Sequence, residues 1–532
     1  MVEAAAPRRR SMIRSSMIFS GLTLVSRFMG AARDLVISAK LGASLTPAAD
    51  AYATALAFPN LFRRIFAEGA FSSAFLPSYA RALARDGEVD ADRMASDALA
   101  TIAAATIVVT IAAQLAMPWL MYVINPGYAH DPVKFKLAVV LTQISMPYLP
   151  GMAITALLSG VLNARDRFIL SAAAPTAWNL AMLLAVLPQH TPIQAAYAAS
   201  WATCIAGLLQ AAWLWWGARH IGANITLRLP KLTPEIKQII ALAVPGTIAA
   251  SATQLNIFVS GVLASQTAGA RMWLTVADRL YQLPLGLVGV AIGVALLPRL
   301  SAAVSTNDHS EAQAATDQAI VFAMALTLPA AAALTCMPFY LIDGLWQRGL
   351  FTHQDALHSA QALFHYGWGV PAFVLIRVLQ PAFFARHDTK SPMRFGLVSV
   401  AVNIALGVGL FQLIGVPGIA AATAVASWLT VAQLSIGLWR KGHYRPGGRA
   451  WSKLVRIFAA SAAMGVFLAL ASHFRPQIEA PLAHFRLLGV GAKEITVVGV
   501  CLLGAALYAL FLFAFRGVTP AEIRTALRRR RA

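Results

Sequence analysis

Apolar residues in this chain come in runs of about 20, the length that carries an α-helix across a bilayer core. Short polar connections separate the runs. They predict spans near residues 14–40, 48–80, 95–122, 136–163, 170–187, 193–217, 236–264, 272–300, 314–340, 357–385, 393–413, 418–439, 454–473 and 488–515. The pattern implies an all-α integral membrane protein of about fourteen transmembrane helices. No polar stretch is long enough to build a soluble domain.

Composition agrees. Of 532 residues, 58% are hydrophobic and 12% charged, and mean hydropathy is +0.65; soluble domains carry roughly 25% charged residues. A net charge of +21 would suggest nucleic acid in a soluble protein. Here the bases fall in alternate connections, so no nucleic-acid partner is expected. The basic set comprises the N-terminal tail, Arg81 with Arg85 and Arg93, Arg165 with Arg167, and Arg219 with Arg228, Lys231 and Lys237. It continues through Arg299, Arg386 with Lys390 and Arg394, the stretch from Arg440 to Lys453, and Arg528 to Arg531. Residues 41–47, 188–192 and 414–417 hold no Lys or Arg, while Lys134 with Lys136 and Arg475 with Arg486 are mild exceptions. The positive-inside rule puts the basic set, and both termini, in the cytoplasm. Trp213, Trp215 and Trp216 before Arg219 fit an interfacial aromatic belt. The first apolar run contains Arg27, Arg33 and Asp34, and so reads as a retained helix and not a signal peptide.

Landmarks recur at an offset of about 221 residues: Leu76-Pro77 with Leu297-Pro298, and Ala164-Arg165-Asp166 with Ala385-Arg386-His387-Asp388. This predicts two pseudo-symmetric six-helix lobes, 14–217 and 236–440, a common transporter plan with the site between repeats. The remaining segments are a basic tail (1–13), an inter-lobe linker (218–235), a basic loop (441–453), helices 13 and 14 (454–515) and a second basic tail (516–532).

Ionisable residues at membrane depth cost a few kcal/mol and mark function by default. They concentrate in Arg27, Arg33 and Asp34 of the first span, and in Asp50, Arg63, Arg64 and Glu68 of the second, where Pro59 is expected to break the helix. The eighth span adds Asp278, Arg279 and Gln282 ahead of Pro284, and the tenth adds Arg377. Arg64 and Glu68, four apart, can pair on one face; Asp34 and Asp278 read as partners or orienters of arginines. Pro371 and Pro381 read as interrupting or bounding the tenth span. An arginine fork suits phosphate, whereas cation antiporters need an unpaired intramembrane acid, scarce in this chain. The arginines therefore point to an anionic headgroup. No Walker A loop, HExxH or GxSxG motif is present, so the chain reads as a transporter and not an enzyme. Cys204, Cys336 and Cys501 show no metal-ligand spacing.

The stretch Ser26-Arg27-Phe28-Met29-Gly30-Ala31-Ala32-Arg33-Asp34 resembles the first-helix signature of the MurJ (MviN) family. Phe58-Pro59-Asn60-Leu61-Phe62-Arg63-Arg64-Ile65-Phe66-Ala67-Glu68-Gly69-Ala70-Phe71 and Ala277-Asp278-Arg279-Leu280 resemble its second- and eighth-helix signatures. The resemblance implies a MATE-like fold of the MOP superfamily in the bacterial inner membrane. It also implies a flippase moving lipid II, the undecaprenyl-pyrophosphate-linked peptidoglycan precursor, to the periplasmic leaflet by alternating access. It assigns the headgroup to Arg27, Arg33, Asp50, Arg63 and Arg279; Asp34, Asn60, Arg64, Glu68, Asp278, Gln282 and Arg377 read from their positions as supporting or gating. Helices 13 and 14 would form a groove for the lipid tail. Lipid II, membrane lipids and the cell-wall synthesis machinery are the partners this implies. No cofactor or metal is expected; the drive is expected to be the membrane potential or a monovalent ion, and spans 7, 11 and 12 contain Asn256 and Asn403 but no carboxylate in their cores. Rival readings are a flippase for another lipid-linked oligosaccharide, a multidrug or cation antiporter of the same superfamily, and a non-transporting scaffold.

Overall fold

The computed structural model describes residues 6–64, 71–306, 308–386, 388–482 and 491–517. Among them there is no β-strand. The helices are α1 (Ala6–Leu41), α2 (Pro47–Arg63), α3 (Phe71–Arg85), α4 (Glu88–Ile124), α5 (Pro132–Ser145), α6 (Tyr148–Ala164), α7 (Phe168–Val186), α8 (Pro192–His220) and α9 (Pro234–Ala264). They continue with α10 (Ala270–Ser305), α11 (His309–Cys336), α12 (Pro338–Trp346), α13 (His353–Phe384), α14 (Lys390–Ile414), α15 (Val416–Arg440), α16 (Gly448–His473), α17 (Arg475–Glu479) and α18 (Ala492–Ala514). Among the described residues, 9 helical segments are long and apolar enough to cross a membrane, α5 and α6 counting as one. The other predicted spans, at α1, α2 with α3, α8, α9 and α10, are helical where they are described.

Local chemistry explains many of the boundaries. Thr191, Thr233 and Asp131 each precede a proline at the first helical position and accept a backbone N–H of their own first turn. That combination satisfies an orphan donor and presets the helical φ. Thr352 and Asp355 form a reciprocal capping box at the start of α13.

Prolines behave differently from expectation. Pro59 lies inside a continuous α2, and α13 runs unbroken through Pro371 and Pro381. Proline removes one N–H and kinks a helix without necessarily ending it, provided the freed carbonyl finds another donor. The span at 136–163 divides at Met146-Pro147. There the Gln143 carbonyl, which would accept from residue 147, receives the side-chain amide of Gln114 at 2.8 Å. The Gln114 carbonyl, opposite Pro118, receives the Gln143 amide at 2.8 Å.

The chain forms two compact units: residues 1–272 with 348–351, and residues 273–347 with 352–532. The core of the first unit includes Phe75, Tyr79, Leu99, Leu158 and Leu214, with Ile236 and Ile239 of α9. The core of the second includes Leu300, Met324, Val378, Phe383 and Leu434.

At its basic-loop end each unit ties down the chain leaving its own helices through one aspartate. In the first, Asp92 accepts from Arg165 at 2.7 Å, the Tyr79 hydroxyl at 3.0 Å and the Asn224 N–H at 2.7 Å. In the second, Asp317 accepts from the Tyr444 hydroxyl and from the Gly447 N–H.

Candidate functional site

α1 carries two arginines in opposite circumstances. Arg33 is only 2% exposed. Its Nη1 donates to Asn179 Oδ1 at 2.9 Å, its Nη2 lies 2.7 Å from Asp34 Oδ1, and the guanidinium sits 4.3 Å from the centre of the Trp178 ring. Asn179 in turn donates to the Ser26 carbonyl at 2.9 Å, which fixes α7 against α1. Arg33 is thus clamped, with its fork already committed. Arg27 is exposed and, among the described residues, no carboxylate lies within ion-pair distance of it. Asp34, seven residues from Arg27, serves Arg33. An open guanidinium offers five N–H donors to a phosphate-type acceptor.

On α2, Arg63 Nε donates to Asn60 Oδ1 at 2.9 Å, and Asn60 Nδ2 donates to the Leu56 carbonyl at 2.9 Å. Asn60 therefore holds Arg63 from one turn back while anchoring itself to the helix. Arg64 is exposed. The expected pairing of Arg64 with Glu68 lies outside the described residues.

Asp50, in the first turn of α2, is 1% exposed and accepts from Lys134 Nζ at 3.2 Å and the Gly269 N–H at 2.8 Å. Around it, Tyr128 donates to the Asp50 carbonyl at 3.2 Å, and Arg271 reaches Asn125 Oδ1. Gly127 packs so tightly on the turn after α9 that a Cβ there would stand 2.3 Å from the Ser265 carbonyl oxygen. This cluster joins α2, α5 and the 265–271 turn within the first unit. It is separate from Arg63, since Asp50 and Arg63 are thirteen residues, or about 20 Å, apart along one helix.

In the second unit, Gln282 donates to the Asp278 carboxylate one turn away on α10. Arg279 is half-buried, and Arg377 on α13 is exposed. Asp343 of α12 is buried and gathers Arg475 and Lys493, fastening α17 and α18. Among the described residues, no group of three or more His, Cys, Asp and Glu could hold a metal ion.

Lys134 and Asn179 were missed from sequence. Lys134 reads as a stray base in a connection otherwise poor in Lys and Arg, and Asn179 as one more polar residue on an apolar helix. The only available signal was that each is a polar side chain near or within a predicted span, a costly placement.

Long, apolar, proline-containing helices in two units match solved structures. The chain aligns with an inward-facing multidrug resistance MATE transporter of the MOP superfamily at TM-score 0.67 and 14% identity, covering 80% of this chain and 98% of that one. It aligns with a lipid II flippase MurJ in an inward closed conformation at TM-score 0.76 and 22% identity, covering 94% and 98%. The fold is the MATE-like fold of those structures, and its long apolar helices are those of a multi-pass membrane protein. A profile of the family described as Lipid II flippase MurJ matches residues 37–487. The chain is 39% identical over 531 residues to a probable lipid II flippase MurJ of Rhizobium tropici, covering 98% of this chain and 97% of that protein. It is 33% identical over 472 residues to the lipid II flippase MurJ of Burkholderia cenocepacia, covering 87% and 90%. The chain belongs to the MurJ family.

Proposed function

We propose that this protein is an inner-membrane flippase that moves lipid II from the cytoplasmic to the periplasmic leaflet by alternating access, with both termini in the cytoplasm. The observation that carries this reading is Arg27, a guanidinium exposed on α1, the first predicted span, with no carboxylate within ion-pair distance among the described residues. A cation left open at membrane depth is costly unless it serves an anion. A pyrophosphate accepts several charge-assisted hydrogen bonds from such a fork.

In this reading Arg27 and Arg63 contact the headgroup from the first unit, and Arg279 is assigned to it on charge chemistry alone. Arg33, with its whole fork engaged, and Asp50, whose Oδ2 accepts from both Lys134 and the Gly269 N–H, act as positioning residues: Arg33 sets α1 against α7, and Asp50 holds the 265–271 turn. Asp34, Asn60, Asp278 and Gln282 orient the arginines, while Arg64, Glu68 and Arg377 serve gating. α16 and α18 take the lipid tail. The membrane potential drives the cycle, since one charge crossing 100 mV corresponds to about 2.3 kcal/mol. A monovalent ion is the alternative driving force.

The test is periplasmic exposure of lipid II. A host depleted of its own flippase expresses this chain, and an externally added lipid II-cleaving enzyme reports access. Wild type restores cleavage and Arg27→Ala does not. A stably inserted wild type that fails to restore cleavage would instead favour another lipid-linked oligosaccharide as cargo.

A further inference from the structure

The connection between α8 and α9 carries a surface that the proposed transport leaves unused. Its beginning is fastened to the first unit: Asn224 N–H donates to Asp92 at 2.7 Å, Thr226 N–H donates to Ser96 Oγ at 3.0 Å, and Ile225 is buried in the core. Beyond Thr226 that support stops. Leu227, Leu229 and Leu232 are 69%, 83% and 62% exposed, and Arg228, Pro230 and Lys231 between them are exposed as well. Three bare leucines within six residues mark a surface that something covers.

Two further features identify the cover. The first is charge. Between Arg219 and Pro234 there is no Asp or Glu, while Arg219, Arg228 and Lys231 are all basic. Arg228 Nε is held by Thr226 Oγ1 at 2.9 Å, and no described carboxylate lies within ion-pair distance of Lys231. The second is depth. α8 ends in an aromatic group, with Trp213 and Trp216 exposed and the Trp216 ring stacked on His220, their centroids 5.4 Å apart. Such belts sit at the headgroup level. α9 begins again at Pro234, so the intervening residues are held near that level at both ends.

We propose that residues 227–232 bind anionic lipid of the cytoplasmic leaflet. The three leucines enter the headgroup–acyl boundary, and Arg228 and Lys231 pair with lipid phosphates, the combination that retains interfacial segments on acidic membranes. The proposal rests on the cytoplasmic assignment of this connection, not on the identity of the cargo.

The full chain, with Cys204, Cys336 and Cys501 replaced by Ala, carries Leu229→Cys labelled with an environment-sensitive fluorophore; Leu232→Cys serves as a second reporter should the first perturb folding. Dioctanoyl phosphatidylglycerol, titrated into the micelle-held protein, shifts the label to the blue at lower concentration than dioctanoyl phosphatidylcholine does. Neutralising Arg228 and Lys231 together to Gln raises the half-point roughly 30-fold, about fivefold for each base. Equal response to the two lipids overturns the proposal. So does a label that stays water-exposed in phosphatidylglycerol nanodiscs and is protected only in native membranes, because a protein then covers the leucines. Neither measurement uses lipid II, so its outcome is independent of the flippase assay.

Discussion

Lys134 Nζ lies 3.2 Å from Asp50 Oδ2, joining α5 to the first turn of α2 across 84 residues of sequence. Both groups are buried. Removing one partner strands the other's charge, whereas removing both charges leaves nothing to desolvate.

Lys134→Met is therefore expected to destabilise the protein by about 3–5 kcal/mol. Asp50→Asn combined with Lys134→Met recovers most of that loss, since the substituted amide oxygen would still accept from the Gly269 N–H. Thermal unfolding in detergent measures both. Lipid II exposure by the double variant then separates the two roles open to Asp50: retained exposure marks a positioning residue, and lost exposure in a stable protein marks a headgroup contact.

The reciprocal glutamines predict a rescue. Gln143→Leu orphans the Gln114 carbonyl at a cost of about 1–3 kcal/mol. Pro118→Ala restores the helical N–H at the position that should serve that carbonyl. Gln143→Leu should consequently cost less in the Pro118→Ala background than in wild type, and an unfolding cycle over the four proteins reads the coupling.

Arg27 and Arg33 separate function from stability. Arg27→Ala removes an exposed side chain and should change stability by no more than about 0.5 kcal/mol, yet abolish lipid II exposure. Arg33→Ala leaves Asp34 and Asn179 without their shared donor and should cost about 3 kcal/mol. Arg33→Lys restores the charge but not the fork, and should fall between. Equal destabilisation by the two alanine substitutions would contradict the distinction.

One clasp should be acid-sensitive. The Lys441 ammonium, followed by the backbone and hydroxyl donors of Ser391, holds the Asp388 carboxyl down to about 2. An unfolded Asp titrates near 3.9, so the folded value is the lower one. The stabilisation is then complete above the unfolded value and lost as pH falls through about 2. Thermal unfolding should show no pH dependence from this group between about pH 5 and pH 8 and a decline below about pH 4. Lys441→Gln should make that decline shallower.

Sequence periodicity located a helical segment for each predicted span, and the arginine positions stood out because charge is rare there. What it could not supply was partnership over long separations. Arg33 meets Asn179 across 146 residues, and Lys134 meets Asp50 across 84; no helical spacing rule reaches that far. Proline was over-read. A break was expected at Pro59, where α2 continues, while the divided span at Met146-Pro147 passed unnoticed. The outcome depends on whether a side chain such as Gln114 is near enough to replace the missing donor, which is a tertiary fact.

α9 follows the inter-lobe connection in sequence, yet it packs on α3 and α4, burying Ile236 and Ile239 among Phe75, Tyr79 and Leu99. For chimeras between related chains this moves the natural crossover point. A junction in residues 218–235 would pair α9 from one parent with α3 and α4 from the other, mismatching a core. A junction in the 265–269 turn would keep that helix with the neighbours it evolved against, and hybrids joined there should be recovered in the membrane at the higher yield.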